Sequence, residues 1–567
     1  VCGGNGSGFY NRDHGIRCSL GGREKQAPGD VAMISQSGSI YQGLLENDGR
    51  LSFNFTVSSG QEIATTTADY MDYVLDLPTT KAIALFIETI RDADGFIAAA
   101  ERAADLDIPV VAVKVARTEA SKAMAVSHSG ALAGDDAAYD ALFDRHGVIR
   151  CDTMSDMFAT LQVMTQTPRA ASGGLVAITD SGGEREYVTD ESERIGVPFT
   201  AIGAATTARL EARLEYGLEP VNPLDAWGTG NDYLGIFMDC MTALMEDPDT
   251  GFGLWVADIR DSDNWRLPFV EGAPAISRST GKPMAFVTCV PNGQSQDKAG
   301  LLMQSGMPLL EGVGPAMAAI RNSFAYRDWR ARPASMPPAP PGDDVVATWR
   351  TRLADGAPFG EAEGLDLLDA FGVPANRSII ADTRDAAIAA ASAMGGAVAL
   401  KTAEPSISHK SDVGGVALGL QGADAVAAAY DDMANRLGPR VLVAPMAPAG
   451  VELAFGMVRD PQFGPLVMIG AGGILVEVMN DACFALAPFH TAEAHRLIDR
   501  LSICKLLDGV RGKPAADIDA VAEALARFSV LAATLGDVIG EIDVNPVIAG
   551  PDGCRAVDAL VVPRTDG

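Results

Sequence analysis

"KAIALFIE", residues 81–88, is a short apolar run that closes on a single carboxylate, Glu88. It reads as a strand, and similar runs lie on either side of it. "DVAMIS" (30–35) and "IPVVAVKV" (108–115) are further strand candidates, with Ala-rich helical stretches between them. That alternation is the signature of parallel α/β layers. After residue 170 a second series begins with "GLVAITD" (174–180), "FGLWVADI" (252–259) and "KPMAFVTCV" (282–290). Each series suffices for one doubly wound unit of about 150 residues. In such sheets ligands gather at the C-terminal ends of the strands, which is where Glu88 stands.

Beyond the two series, "ARPASMPPAPPGDD" (331–344) carries five prolines and no periodicity, and it reads as an extended, semi-rigid linker. The third region, 345–567, contains "GAVALKTA", "RVLVAPM", "PLVMIGAGG" and "GEIDVNPVIAG" as strands or strand-plus-turn units. At 567 residues the chain is too long for one core.

Composition narrows the function classes. The formal net charge is −30, which argues against nucleic acid or an anionic membrane as partner and fits a need for solubility. No stretch reaches 18 uninterrupted apolar residues, so no transmembrane helix is expected. The opening "VCGGNGSGFYN" lacks the basic and apolar regions of a signal peptide. Eight cysteines are scattered singly, without CxxC or a His/Cys cluster, so reduced thiols and a cytoplasmic location are expected.

Several turns then offer chemistry. "AVSHSGALAG" (125–134) sets His128, one of only six histidines, among small residues on a loop that leads into a helix. A Ser- and Gly-rich turn at a helix N-terminus presents free N–H groups to an anion. A neutral imidazole beside it is a competent nucleophile for a phosphoryl group. Alone, the segment equally fits a surface loop. "ISQSGSI" (34–40) follows a strand directly, so Ser37, Gly38 and Ser39 either cap a helix or cradle phosphate. Glu88 is placed to orient an imidazole, or else is a solvated acid.

In the third region "LKTAEPSISHKSDVGGV" (400–416) puts Lys401 at a strand end and His409 and Lys410 before a Gly-Gly turn, within reach of nucleotide phosphates. It is not a Walker A loop. Asp543 and Asn545 fall on one side of a strand, and "CRAVDALVV" adds Asp558 on the next. Oxygen ligands from adjacent strands suit Mg²⁺, though any single acid there also fits a surface position.

Together these stretches resemble the NDP-forming acyl-CoA synthetases, relatives of succinyl-CoA synthetase and ADP-forming acetyl-CoA synthetase. "SHSGALAG" is similar to the family's phosphohistidine loop and "LFIETIRD" to the strand carrying its supporting glutamate. "SHKSDVGGV", "RDPQFGPLVMIGAGG" and "EIDVNPV" resemble successive motifs of its ATP-grasp domain. The similarity runs through nearly the whole chain in the expected order. It implies two flavodoxin-like domains followed by an ATP-grasp domain: 27–168 with the phosphohistidine loop, 169–330, the linker 331–344, and 345–567. Residues 1–26 resemble the tail of the family's Rossmann-like CoA-binding domain, the rest of which is expected upstream or else on another polypeptide.

The resemblance also implies roles. His128 is expected to be transiently phosphorylated and Glu88 to orient it. The turn Ser37–Ser39 and the Ser129 and Gly130 amides would bind the phosphoryl group, with His409 a second relay. Lys401 would contact ATP phosphates, Ala444, Pro445 and Met446 would form the adenine hinge, and Asn545, Asp558 and Asp543 would hold Mg²⁺. Glu452 and Arg459 match further nucleotide-binding positions. The expected activity is ligation of a small carboxylic acid to CoA at the expense of ATP, in a homo-oligomer, a dimer.

For the acid itself, Trp227 in "NPLDAWGTG" (222–230) is either a packing residue or a pocket wall. An aromatic face stacks on an aryl acid or holds an onium group by cation–π attraction. Resembling subfamilies include feruloyl-CoA synthetases and ATP-dependent dimethylsulfoniopropionate lyases, and the latter chemistry would need a base, for which Glu271 is the candidate. A non-catalytic acyl-CoA sensor is the alternative from another class.

Overall fold

The computed structural model describes residues 3–19, 29–47, 49–118, 120–121, 136–291, 294–355, 357, 359–405, 407, 410, 413–473 and 481–564. The chain divides into two compact units, the first comprising residues 1–133 and 146–332, the second 134–145 and 333–567.

The first unit holds two sheets. In one, the strands Phe53–Ser58, Val31–Ser35, Ala82–Ile87, Val110–Lys114 and Ile149–Arg150 lie side by side and parallel. Numbered by sequence, that order is 2-1-3-4-5, the flavodoxin-like order. Residues 8–19 form a hairpin, Gly8–Asn11 with Ile16–Ser19, that adds antiparallel strands to the Phe53–Ser58 edge. This segment therefore builds the edge of the first flavodoxin-like sheet.

The second sheet repeats the 2-1-3-4-5 order with Leu224–Asp225, Gly174–Thr179, Thr250–Val256, Met284–Thr288 and Leu309–Glu311, all parallel. Its central strand Thr250–Val256 is buried along its whole length, as a strand covered by helices on both faces must be. The two sheets share helices. Helix Met154–Gln166, opened by a Thr153/Asp156 capping box, sends Met157, Leu161 and Met164 into the first core and Ala159 and Val163 into the second. Each face of one helix thus serves a different sheet, which welds both into one unit.

The second unit is built on antiparallel sheets. Four strands, Ile379–Ala381, Val441–Pro445, Val398–Thr402 and Val416–Leu420, pack on helices Arg384–Met394 and Gly422–Leu437. A larger sheet of Ala482–Leu486, Gly464–Ala471, Val451–Asp460, Ile539–Gly550, Gly553–Ala556 and Leu560–Pro563 covers the buried helix Ile518–Leu535. Helix Asp136–His146, up to Arg145, belongs to this unit. Tyr139 packs edge-on against Phe463 at 5.0 Å, and Arg145 donates to the Leu486 carbonyl at 3.0 Å. Residues 332–342, between helices Val313–Arg330 and Asp343–Ala354, form neither helix nor strand. Among the described residues no helix is long and apolar enough to cross a membrane, and Cys18, Cys151, Cys240, Cys289, Cys483, Cys504 and Cys554 are free thiols.

Candidate active site

A 2-1-3-4-5 sheet has its topological switch point between its first and third strands. In the first sheet these are Val31–Ser35 and Ala82–Ile87, and the loops that leave them are joined by Gln36. Gln36 is 7% exposed. Its N–H donates to the Phe86 carbonyl at 3.0 Å. Its side-chain oxygen accepts from the N–H of Glu88 at 2.6 Å and of Thr89 at 3.2 Å, and its side-chain nitrogen donates to the Thr89 carbonyl at 2.8 Å. One buried amide thus satisfies three backbone groups of the opposite loop and fixes where Glu88 begins.

Ser37 caps helix Gly38–Leu45, its hydroxyl accepting from the Ile40 N–H at 3.4 Å. Gly38 and Ser39 form the first turn of that helix, where N–H groups lack intrahelical partners and the dipole favours an anion. A Cβ at Gly38 would stand 2.6 Å from the Ser7 hydroxyl, so this first position is tightly packed. Glu88, Ser37 and Gly38 are half-buried and Ser39 is exposed. His128, Ser129 and Gly130 lie outside the described residues. The chain that bears them leaves from Val110–Lys114, the strand that neighbours Ala82–Ile87.

A second constellation sits in the second unit. The Lys401 ammonium donates to Glu361 Oε1 at 2.6 Å, to the Val557 carbonyl at 2.8 Å and to Asp558 Oδ2 at 3.1 Å. Lys410 pairs with the other oxygen of Glu361. Burial alone would lower the Lys401 pKa, but the Glu361 and Asp558 carboxylates outweigh it and hold it above its ordinary value. Asp543 and Asn545 share the face of strand Ile539–Gly550 opposite its buried residues Ile542 and Val544. Asn545 Oδ1 accepts from the Gly473 N–H at 2.8 Å. Burial, with the charges of Glu541 and Asp558, raises the Asp543 pKa. An oxygen-only donor set in which carboxylates already repel one another fits a hard divalent cation such as Mg²⁺.

The other expected nucleotide residues divide. Glu452 is exposed near Gly473, and its carbonyl accepts from Gly472 at 2.9 Å. Arg459 stands seven positions further along the same strand, about 23 Å at the usual rise, and donates to the Gly536 carbonyl at 3.2 Å. The structure therefore does not bring Arg459 to Glu452. At the expected hinge, Ala444 is buried in the ladder, the Met446 N–H donates to the Ala397 carbonyl at 3.0 Å, and the Pro445 carbonyl accepts from Asn376 at 3.1 Å. His409 lies outside the described residues.

The switch point of the second sheet lies between Gly174–Thr179 and Thr250–Val256. Arg266, on a short helical turn, crosses it. Its Nη2 meets Asp180 at 2.5 Å, its Nη1 meets Asp263 at 2.6 Å, and Nη1 also donates to the Asp258 carbonyl at 2.9 Å. Glu184, in the first turn of helix Gly182–Ile195, has its carboxyl pushed up to about 8 by burial and by the neighbouring Asp180 and Asp258 charges.

At the same sheet end the 222–230 loop is pinned twice. Asn222 bonds to the Ala177 N–H and to the Leu175 and Thr200 carbonyls, while Glu215 accepts from Thr229. Between these anchors Trp227 stays 38% exposed, its ring 5.3 Å from that of Trp265 (36% exposed) and 6.0 Å from Tyr233. Glu271 is exposed on helix Leu267–Thr280.

Comparison with known proteins accounts for this layout. Residues 28–164 match the succinyl-CoA ligase like flavodoxin domain and residues 354–562 the ATP-grasp domain. An ADP-forming acetate–CoA ligase of Archaeoglobus fulgidus is 31% identical over 547 residues, covering 94% of this chain and 78% of that protein. The chain belongs to the ADP-forming acyl-CoA ligase family. Among other ligases of the family, a trans-feruloyl-CoA synthase from an unknown prokaryotic organism is 30% identical over 94% of this chain and 76% of its own. The ADP-forming 4-hydroxybutyrate–CoA ligase of Nitrosopumilus maritimus is 28% identical over 94% and 78%. The fold is also that of the dinucleotide forming acetyl-coenzyme A synthetase 1 of Ca. Korarchaeum cryptofilum, solved with phosphate and ADP. The TM-score is 0.52 at 21% identity, covering 57% of this chain and 70% of that one.

Two residues in this acyl-CoA ligase escaped the sequence reading. Gln36 lies inside "ISQSGSI", where only its serines and glycine drew notice, and a polar residue directly after a buried strand was the available signal. Glu361 opens helix Glu361–Ala370 and looks in the sequence like an ordinary first-turn acid.

Proposed function

We propose that this chain ligates a carboxylic acid to CoA with ATP, passing the phosphoryl group through His128. The observation that carries the reading is the Gln36 clamp. It joins a helix N-terminus and Glu88 at one switch point, beside the strand from which the His128 segment departs. A carboxylate is a poor acyl donor and must first become an acyl phosphate. In the second unit Lys401 and Lys410 would position the nucleotide phosphates, while Asp543, Asn545 and Asp558 would hold Mg²⁺, which when bound supplies charge screening. The His128 imidazole attacks the γ-phosphorus and ADP leaves. Glu88 holds the ring in the tautomer that frees the attacking nitrogen, and the N–H groups at Gly38 and Ser39 receive the phosphoryl oxygens. The substrate carboxylate then takes the phosphoryl group from His128, and the CoA thiolate displaces phosphate. Positioning and charge neutralisation are most of what such transfers need.

For the acid, the pairing of Trp227, on a pinned loop, with Trp265, on a short helical turn, supports an aryl substrate, in line with the feruloyl-CoA relative. The same rings favour a second reading, an onium acid such as dimethylsulfoniopropionate, with elimination following ligation.

The test is phosphorylation with radiolabelled ATP and Mg²⁺. The chain is expected to acquire an acid-labile phosphate that His128→Ala lacks, and an aryl acid is expected to discharge it faster than acetate does. An unlabelled chain would point to the sensor. Discharge by dimethylsulfoniopropionate alone, with dimethyl sulfide released on adding CoA, would replace the aryl reading with the second.

A further inference from the structure

The Lys401–Glu361–Lys410 cluster has a property that phosphate-binding lysines do not need. An ammonium has three protons to donate, and all three of Lys401 are engaged within the protein, on Glu361, Asp558 and the Val557 carbonyl. Glu361 is the hub, its side chain 5% exposed, with one oxygen on Lys401 and the other on Lys410. Two ammonium groups and two carboxylates, Glu361 and Asp558, therefore form a neutral, largely buried cluster.

A bare polyphosphate approaching this cluster meets no net attraction and no unengaged proton on Lys401. A magnesium-complexed polyphosphate is different. Asp558 is one of the residues that would hold the metal, and an Asp558 drawn to a cation would give up its hydrogen bond from Lys401. That N–H would then be available to donate to a phosphate oxygen. Glu361 stays in place and keeps both lysines aimed together.

We infer that Glu361 is a specificity-determining residue of the nucleotide site, which by neutralising Lys401 and Lys410 makes the site select metal-complexed over metal-free polyphosphate. The inference rests on the reading of the second unit as the nucleotide site. Glu361 itself is a positioning residue. Removing its charge leaves the cluster with a net positive charge close to where a phosphate would sit, and a full unit of charge at that range is a large effect even in a polarisable site.

The measurement is titration calorimetry on the full chain, using sodium tripolyphosphate in EDTA and, separately, ATP with Mg²⁺. Glu361→Gln is expected to bind tripolyphosphate at least tenfold more tightly than the wild type, with a clearly smaller gain for ATP–Mg²⁺. Glu361→Asp, which keeps the charge, is expected to behave like the wild type. The double variant E361Q/K410Q restores neutrality and is expected to match wild-type tripolyphosphate affinity within threefold. It carries the test if the single variant does not melt cooperatively. The inference is overturned if E361Q binds tripolyphosphate no more tightly than wild type, if E361D gains as much as E361Q, or if the double variant loses more than tenfold. A wild type that does not bind ATP–Mg²⁺ overturns the nucleotide-site reading, and the inference with it.

Discussion

Gln36 and Glu88 are joined by a hydrogen bond of 2.6 Å from the Glu88 N–H to the Gln36 side-chain oxygen, across the switch point of the first sheet. Three buried or half-buried backbone groups depend on that one side chain. Gln36→Ala removes this one partner from all three, and a buried polar group that loses its hydrogen bond costs about 1–3 kcal/mol. The variant is expected to be less stable by about 2 kcal/mol in denaturant titration. It should also form phosphohistidine more than tenfold more slowly, because the loop that starts at Glu88 loses its anchor. Unchanged phosphorylation in a destabilised variant would make Gln36 a purely structural residue.

Glu88 itself separates orientation from nucleophilicity. His128→Ala is expected to carry no acid-labile phosphate at all. Glu88→Gln keeps the shape and removes the charge that stabilises the imidazole, so phosphorylation should persist at a rate lower by about 100-fold. Rapid-quench measurement of the labelled chain gives both values. Equal rates for Glu88→Gln and wild type would remove Glu88 from the mechanism.

At the second switch point the pH dependence has a definite sign. The Glu184 carboxyl is pushed up to about 8 in the folded chain by burial and by Asp180 and Asp258, against an ordinary value near 4.5. Between those values the folded state holds a proton that the unfolded state has released. Stability from this group is therefore fully present below the ordinary value, falls as pH rises through the window, and levels off above about 8. Glu184→Gln, neutral throughout, is expected to melt close to wild type at pH 5 and several degrees above it at pH 8, as about 1 kcal/mol moves Tm by 2–4 °C in a domain of this size. Parallel melting curves at the two pH values would refute it.

Much of this was legible beforehand, for identifiable reasons. Strands such as Ala82–Ile87 and Val110–Lys114 are continuous apolar runs, which is what burial on both faces demands. The strand Phe53–Ser58 was missed because its buried positions include Asn54, Thr56 and Ser58. Asn54 is tolerated there because its side chain donates to the Thr80 hydroxyl at 2.7 Å, a partner 26 residues away that no local pattern announces. The hairpin at residues 8–19 was masked by a glycine-rich start, and its strandhood comes from pairing with Phe53–Ser58. Lys401 and Asp558 were legible as chemistry, but their junction with Glu361 depends on three elements meeting. Arg459 and Glu452, both read from motif position, stand seven residues apart on one strand, where Arg459 donates to the Gly536 carbonyl.

In the proposed reading the aromatic pair Trp227–Trp265 lines the acid pocket. Trp227 and Trp265 lie 5.3 Å apart and each keeps roughly a third of its surface open, while hydrogen bonds of Asn222 and of Glu215 to Thr229 anchor the loop that carries Trp227. Trp227 packs on Tyr233 at 6.0 Å and on the buried Phe237 at 6.4 Å, so a melting curve of the truncated variant separates lost packing from lost ligand surface. Trp227→Ala should then raise KM for the preferred acid at least tenfold with kcat for phosphohistidine discharge changed little, the mark of lost uniform binding. Trp227→Phe keeps a flat face and should recover most of that loss for an aryl acid. An onium acid responds differently, since the indole is the strongest of the aromatic faces for a cation, and Phe should restore little. The ratio of the two variants' KM values thus reports the chemical class of the substrate, and a Trp227→Ala chain with wild-type KM would return Trp227 to the core.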